Sequence, residues 1–279
     1  MIKSKLFQLF QTLDRGELRD LSKFLVSDYL NDRKAVIPLF NYLKRLHPDF
    51  PPPLLEKKIV YQQLFPEASF NAQHLGHLMN YLLKSIQEFL IINKLKEDTR
   101  QKDYYLLAAL REKNLHKHFE FENRKVTFGL QSESLQDAPF HFQAYRIAEL
   151  NALAFSEKQP LLFNPYLQAL SNNLDRFYLT EKMKYISVML NNQEYTKDTY
   201  EISMIDNLIH QLEKLDFSNE PSLEIYQLTI QLIRDQDTQI AYPRLKELFQ
   251  IQPYPLPKGE MRNKLYFAFN FANKEIRKG

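Results

Sequence analysis

Leu75-Gly-His-Leu-Met-Asn-Tyr-Leu-Leu-Lys-Ser-Ile-Gln-Glu-Phe-Leu90 is the stretch on which the fold turns. Leu75, Leu78, Met79, Leu82, Leu83, Ile86 and Leu90 recur at i, i+3, i+4 and i+7, so they fall on one stripe of an α-helix for some four turns. Asn71 precedes the stripe as an N-cap, and the spacing predicts a helix over 72–97. The same period returns at Ile205, Leu208, Ile209 and Leu212, and near the start at Ile2, Leu6, Leu9 and Leu13. Strict alternation occurs only in short pieces such as His116 to Glu122, where a strand is the competing reading, and one short candidate does not make a sheet.

Outward from that helix, polar and proline punctuation marks further helices near 2–12, 16–30, 33–46, 53–64, 101–112, 114–135, 140–157, 161–174, 176–192, 198–214, 221–235, 239–250 and 259–277. Pro48, Pro51-Pro52-Pro53 and Pro66 separate the third, fourth and fifth, because proline lacks the helical donor and restrains the residue before it. Asp14, Asp175, Asp198 and Asp237 join Asn71 as expected N-caps. The fold class is all-α: an N-terminal helical domain over 1–98, then antiparallel helical hairpins over 99–279 in a tetratricopeptide-like α-solenoid. Leu223-Glu-Ile-Tyr-Gln-Leu-Thr-Ile-Gln-Leu-Ile233 is apolar on more than one side, as a helix inside a stack must be, although the tetratricopeptide consensus itself is absent. Helix 259–277 carries an apolar surface that includes Met261, Leu265, Phe267 and Phe271, and no polar capping helix follows it. A chain cut short at this end, or a partner covering it, is therefore expected.

Composition narrows the chemistry. Only 5 of 279 residues are glycine, against a usual share of about 7%, which disfavours nucleotide-binding loops, nucleophile elbows and α/β enzymes; no such motif occurs. There is no cysteine, so disulfides, thiolate metal sites and cysteine nucleophiles are excluded, and the cytoplasm is the expected compartment. The longest apolar run, Phe89-Leu-Ile-Ile92, falls far short of the ~20 residues of a membrane span, so no membrane partner is expected. With 37 basic and 34 acidic residues the net charge of +3 selects no partner on its own.

At Leu174-Asp-Arg-Phe-Tyr-Leu-Thr-Glu-Lys-Met-Lys-Tyr185, continued by Met189-Leu-Asn191 and Arg262-Asn-Lys-Leu-Tyr266, the chain resembles uncharacterised tetratricopeptide-like helical-repeat proteins of the Bacteroidota. The resemblance covers about a fifth of the chain; it implies the helical-hairpin fold in proteins longer than this one, and it brings no activity with it.

Candidate sites are few. His116, His118, Glu120 and Glu122 form two i, i+4 pairs on opposite sides of a helix, which leaves two convergent ligands where catalytic zinc has three. His74 and His77 read as packing histidines, and Glu194, Asp198 and Glu201 as acids at a helix N-terminus. Pro51-Pro52-Pro53 and Pro253-Tyr-Pro-Leu-Pro257 read as rigid linkers before polyproline ligands. No catalytic, cofactor or metal residue is assigned. Among 16 tyrosines, Tyr178, Tyr185, Tyr195 and Tyr200 cluster around one hairpin and are the choice for a concave peptide-binding surface, because a tyrosine ring buries while its hydroxyl stays hydrogen-bonded. The expectation is a non-enzymatic scaffold that binds another protein or a peptide. The alternative is a nucleic-acid-associated protein using residues 1–100, where 15 Lys or Arg face 11 Asp or Glu.

Overall fold

The computed structural model describes residues 1–194, 196, 198–212, 220–251 and 254–278, with the backbone alone at 211, 274, 275, 277 and 278. Among them there are thirteen α-helices and no strand, and no helix is long and apolar enough to cross a membrane. The chain divides into two compact units, Met1–Lys102 and Asp103–Gly279.

The first unit holds α1 (Lys5–Phe10), α2 (Arg15–Val26), α3 (Ile37–Leu46), α4 (Lys57–Leu64) and α5 (Ala72–Glu97), with single 3-10 turns at Lys34–Val36 and Pro52–Leu55. Helix α5 buries Leu75, Leu78, Met79, Leu82 and Ile86 of the stripe read from the sequence against α1 to α4, together with Phe89, which that stripe did not include, while Leu83 and Leu90 are only partly buried. Each buried leucine stabilises the fold by about 2 kcal/mol. Asp14 closes a capping box on α2: its Oδ1 accepts from the Glu17 amide at 2.8 Å, and Glu17 Oε2 accepts from the Asp14 amide at 2.8 Å. Asn71 likewise caps α5 by accepting from the His74 amide. The triple proline forms no polyproline segment, because Pro52 and Pro53 open a 3-10 turn that buries Leu55.

In the order of the chain, α6 (Thr99–Glu112) contains the division between the units, and α7 (His116–Ser132), α8 (Ala138–Lys158), α9 (Tyr166–Gln193), α10 (Ile205–Leu212), α11 (Pro221–Ile233), α12 (Thr238–Leu248) and α13 (Lys258–Lys278) follow. His116 to Glu122 is the first two turns of α7, so its alternation is accidental. Phe142 meets Phe177 at 5.0 Å between ring centres and Phe155 meets Tyr166 at 5.9 Å, a reversed order that makes α8 and α9 an antiparallel hairpin. One apolar cluster joins α6, α7 and α8 through Leu107, Phe119, Ile147 and Leu150. A second gathers Met183 and Ile186 of α9 around α11, with Leu245 of α12 and Met261 of α13. Helix α11 is its centre: Leu223, Ile225, Tyr226, Leu228, Ile230 and Leu232 are buried around its whole circumference, which accounts for a stretch apolar on more than one side.

Three expectations change here. Segments 161–174 and 176–192 are one helix, α9, with Asp175 exposed in its interior. No glycine or proline stands near Asp175, and the poor helix propensity of one Asp, about 0.7 kcal/mol, is too small to break a helix packed against α8 and α11. The helix expected over 198–214 begins only at Ile205, so Asp198 caps nothing. Asp237 does precede α12, but with φ 47° and no side-chain hydrogen bond to the first turn. Conversely, Ser4 and Asp137 cap α1 and α8.

Candidate functional site

Three helices of the second unit each contribute one stripe to a cleft. Lys184, Ser187, Val188 and Asn191 follow one another at helical spacing on α9; Tyr226 and Thr229 do so on α11; Glu260, Asn263, Lys264, Phe267 and Asn270 do so on α13. Residues three and four apart share a helix face, so the spacing that builds the helices also aims these side chains at a common space. The cavity they enclose is about 360 Å³, at the lower end of the range of about 300–1,000 Å³ typical of ligand pockets.

Its floor is polar and buried. Lys264 is 8% exposed, Ser187 1% and Tyr226 2%. Lys264 Nζ donates to Ser187 Oγ at 2.6 Å, and Ser187 Oγ donates in turn to the Lys184 carbonyl at 2.7 Å. The Tyr226 ring lies 5.1 Å from the same ammonium, close enough for a cation–π contact. Beside it, Glu260 is shared: Lys184 Nζ reaches Oε1 at 2.6 Å, and the Tyr226 hydroxyl donates to Oε2 at 2.5 Å. Above this floor the rim is exposed, formed by Asn192, Asn263, Asn270, Val188 and Tyr266, with Asn191 and Phe267 half-buried.

Burial sets the electrostatics. It holds the Lys264 ammonium below its ordinary 10.5, at about 8, with Glu260 pulling the value up and Lys184 pushing it down. Burial also pushes the Tyr226 phenol up, and the hydrogen bond to Glu260 adds to this. For Lys184 burial acts downward, but the bond and charge of Glu260 outweigh it and the net shift is upward.

A serine 2.6 Å from a lysine invites a nucleophile–base reading. The hydroxyl proton of Ser187, however, is directed at the Lys184 carbonyl, and the lysine donates to the serine oxygen. The serine therefore positions the ammonium. What the arrangement can do chemically is present a fixed, buried cation under a rim of amide groups.

Tyr178 and Tyr185 lie one heptad apart on α9, both exposed, and Tyr200 is exposed in the segment before α10. None of the three lines the cleft; Tyr195 lies outside the described residues. The acids of α7 are engaged by lysines, Glu122 by Lys125 at 2.9 Å and Glu120 by Lys158 at 3.3 Å. Among the described residues no three His, Asp or Glu side chains converge as a metal site would need. His74 shares a hydrogen bond with the Tyr61 hydroxyl at 3.1 Å, and His77, exposed rather than packed inside, stacks beside Tyr81. Glu194 sits at the C-terminal end of α9, and Asp198 and Glu201 begin no helix, so N-terminal capping does not account for them. Pro255 and Leu256 of the second proline run are buried, which makes that run a packed connection. In residues 1–100 several basic groups are locally engaged, Lys34 by Asp28 at 2.9 Å, Lys23 by Asp20 at 2.9 Å and Arg33 over the Tyr81 ring at 4.1 Å, while the surplus of basic over acidic residues remains.

Sequence reasoning missed Lys264, Ser187 and Glu260. One signal was there to be read: Lys264 occupies the apolar stripe of its helix, three residues after Met261 and four before Ala268, both buried. Ser187 similarly follows Met183 and Ile186. A polar residue in an apolar stripe must find partners, because a buried group without them costs several kcal/mol. A second buried group, also missed, joins three elements: Glu220 lies between His141 Nε2 at 3.0 Å and Arg176 Nε at 2.8 Å.

In comparisons with protein-family models, curated proteins and solved structures, none matches this chain.

Proposed function

We propose that this chain is a non-enzymatic, tetratricopeptide-like scaffold that binds an extended segment of another protein in the cleft between α9, α11 and α13. The observation that carries the reading is the rim. Asn191 and Asn192 from one helix stand with Asn263 and Asn270 from another, over a hydrophobic margin of Val188 and Phe267. An asparagine amide both donates and accepts, so such residues pair with the alternating N–H and C=O groups of an extended peptide without selecting its sequence. The apolar margin takes up side chains. Stacked hairpins use such surfaces for protein partners, and the antiparallel α8–α9 pair, with α9 in turn packed on α11, supports that arrangement.

The test is fluorescence anisotropy of N-terminally labelled degenerate hexapeptides with the purified chain and with Val188→Arg, which puts a long side chain on the exposed rim. Binding by the parent and loss in the variant is the expected result. Equal retention by both proteins would remove the cleft from the reading.

A further inference from the structure

The cleft floor holds a charge with no ion-pair partner in direct contact. Among the described residues no carboxylate stands within 4.0 Å of Lys264 Nζ; Glu260 acts on it from further off and is engaged by Lys184 and Tyr226. An ammonium carries three donors. One is used on Ser187 and the Tyr226 ring covers a second side, and because Lys264 lines the cavity the remaining donor capacity is open to a group bound there. A buried cation without a counter-ion is costly, and an anion that completes it is bound the more strongly for being desolvated.

We propose, resting on the peptide-cleft reading above, that the cleft captures a peptide carboxylate, with Lys264 as its counter-ion and Asn263 and Asn270 as neutral donors beside it. The sign and size of the charge decide between anions. The lining sets Lys184 and Lys264 against Glu260, and Glu181 acts on Lys184 and Tyr226 from outside it, so a monoanion meets less repulsion there than a dianion. A phosphate dianion would add a second negative charge next to the Glu260 carboxylate with nothing to offset it. The same carboxylate chemistry comes from two sources, the end of a chain or an Asp or Glu side chain.

Capture also depends on pH. Lys264 loses its charge as pH rises through about 8, whereas the facing groups Lys184 on α9 and Tyr226 on α11 are both held upward and keep their protons there. Glu260 on α13 remains their shared acceptor, and Glu181 adds a second negative charge facing Lys184 and Tyr226. A carboxylate therefore meets fewer charged Lys264 side chains as pH rises through about 8, and its affinity falls from pH 7 to 9.

The experiment uses the full chain and three labelled hexapeptide pools: free acids without Asp or Glu, their C-terminal amides, and amides with one fixed Asp. The expected result is that at least one carboxylate-bearing pool binds roughly ten-fold or more tighter than the plain amides. That gap should close in Lys264→Met and narrow from pH 7 to pH 9, and the two acidic pools tell a chain terminus from a side chain. If Lys264→Met does not fold, Asn263→Asp on the exposed rim should close the gap by repulsion. Amides that bind as well as acids, with both lost in Val188→Arg, overturn the carboxylate anchor and leave the peptide cleft standing. No binding by any pool overturns both. Inorganic phosphate that displaces the acid pool at lower concentration than acetate does overturns the preference for a monoanion.

Discussion

Replacing Lys264 by methionine tests the buried charge directly, without any ligand. In the folded chain the ammonium sits at about 8 against an ordinary 10.5, which corresponds to roughly 3 kcal/mol against folding at neutral pH. The folded value lies below the unfolded one, so unfolding takes up a proton between about pH 8 and 10.5, and wild-type stability rises with pH through that window. Below pH 8 the penalty is present in full. Methionine fills a similar volume without charge but gives up the bond to Ser187 Oγ at 2.6 Å, a loss of about 1.5 kcal/mol. The variant should therefore be more stable than the parent by about 1–2 kcal/mol at pH 7, and less stable by about 1 kcal/mol near pH 10.5, a crossing of sign. Urea denaturation followed by far-ultraviolet circular dichroism at four pH values measures it. A stability difference that stays constant from pH 7 to 10.5 would falsify the account of Lys264 as a desolvated cation.

Other perturbations probe the supports of the site and the fold. Tyr226→Phe removes the donor to Glu260 Oε2 and should cost about 1–2 kcal/mol; an ultraviolet phenolate titration should show one fewer late-titrating tyrosine, and an unchanged late fraction would contradict the upward push on Tyr226. Asp14→Ala breaks the capping box of α2 and should lower stability by about 1 kcal/mol, which Glu17→Gln, able to keep its side of the box, should largely spare. Asp175→Pro, placed inside the single helix α9, should cost about 3 kcal/mol or more; tolerance of proline there would restore the two-helix reading of 161–192. Leu82→Ala, fully buried on α5, should cost about 3 kcal/mol in the first unit, read from the denaturation midpoint.

Comparing the two ends of the cleft explains why it was hard to foresee. Its rim residues Asn191, Asn263 and Asn270 are ordinary helix-surface amides in the sequence, and the aromatic pair Tyr178 and Tyr185 of the same helix α9 is exposed outside the cleft lining. Lys264 sits between Asn263 and Leu265 and passes for a solvated lysine until it is placed on the helical stripe that Met261 and Ala268 mark as buried. Its partner Ser187 is 77 residues away.

What the sequence determined by itself is local. The all-α class, the 72–97 helix with its buried stripe, the caps at Asp14 and Asn71 and the all-round apolar character of 223–233 follow from hydrogen bonds and side-chain spacings that close within a few residues. What only the tertiary structure decided is long-range: that α9 runs unbroken through Asp175, and that one lysine of α13 is brought under Tyr226 of α11 beside Ser187 of α9. A helix can be read from its own period. The cost of burying a charge depends on which distant groups surround it, and no period in the sequence encodes that.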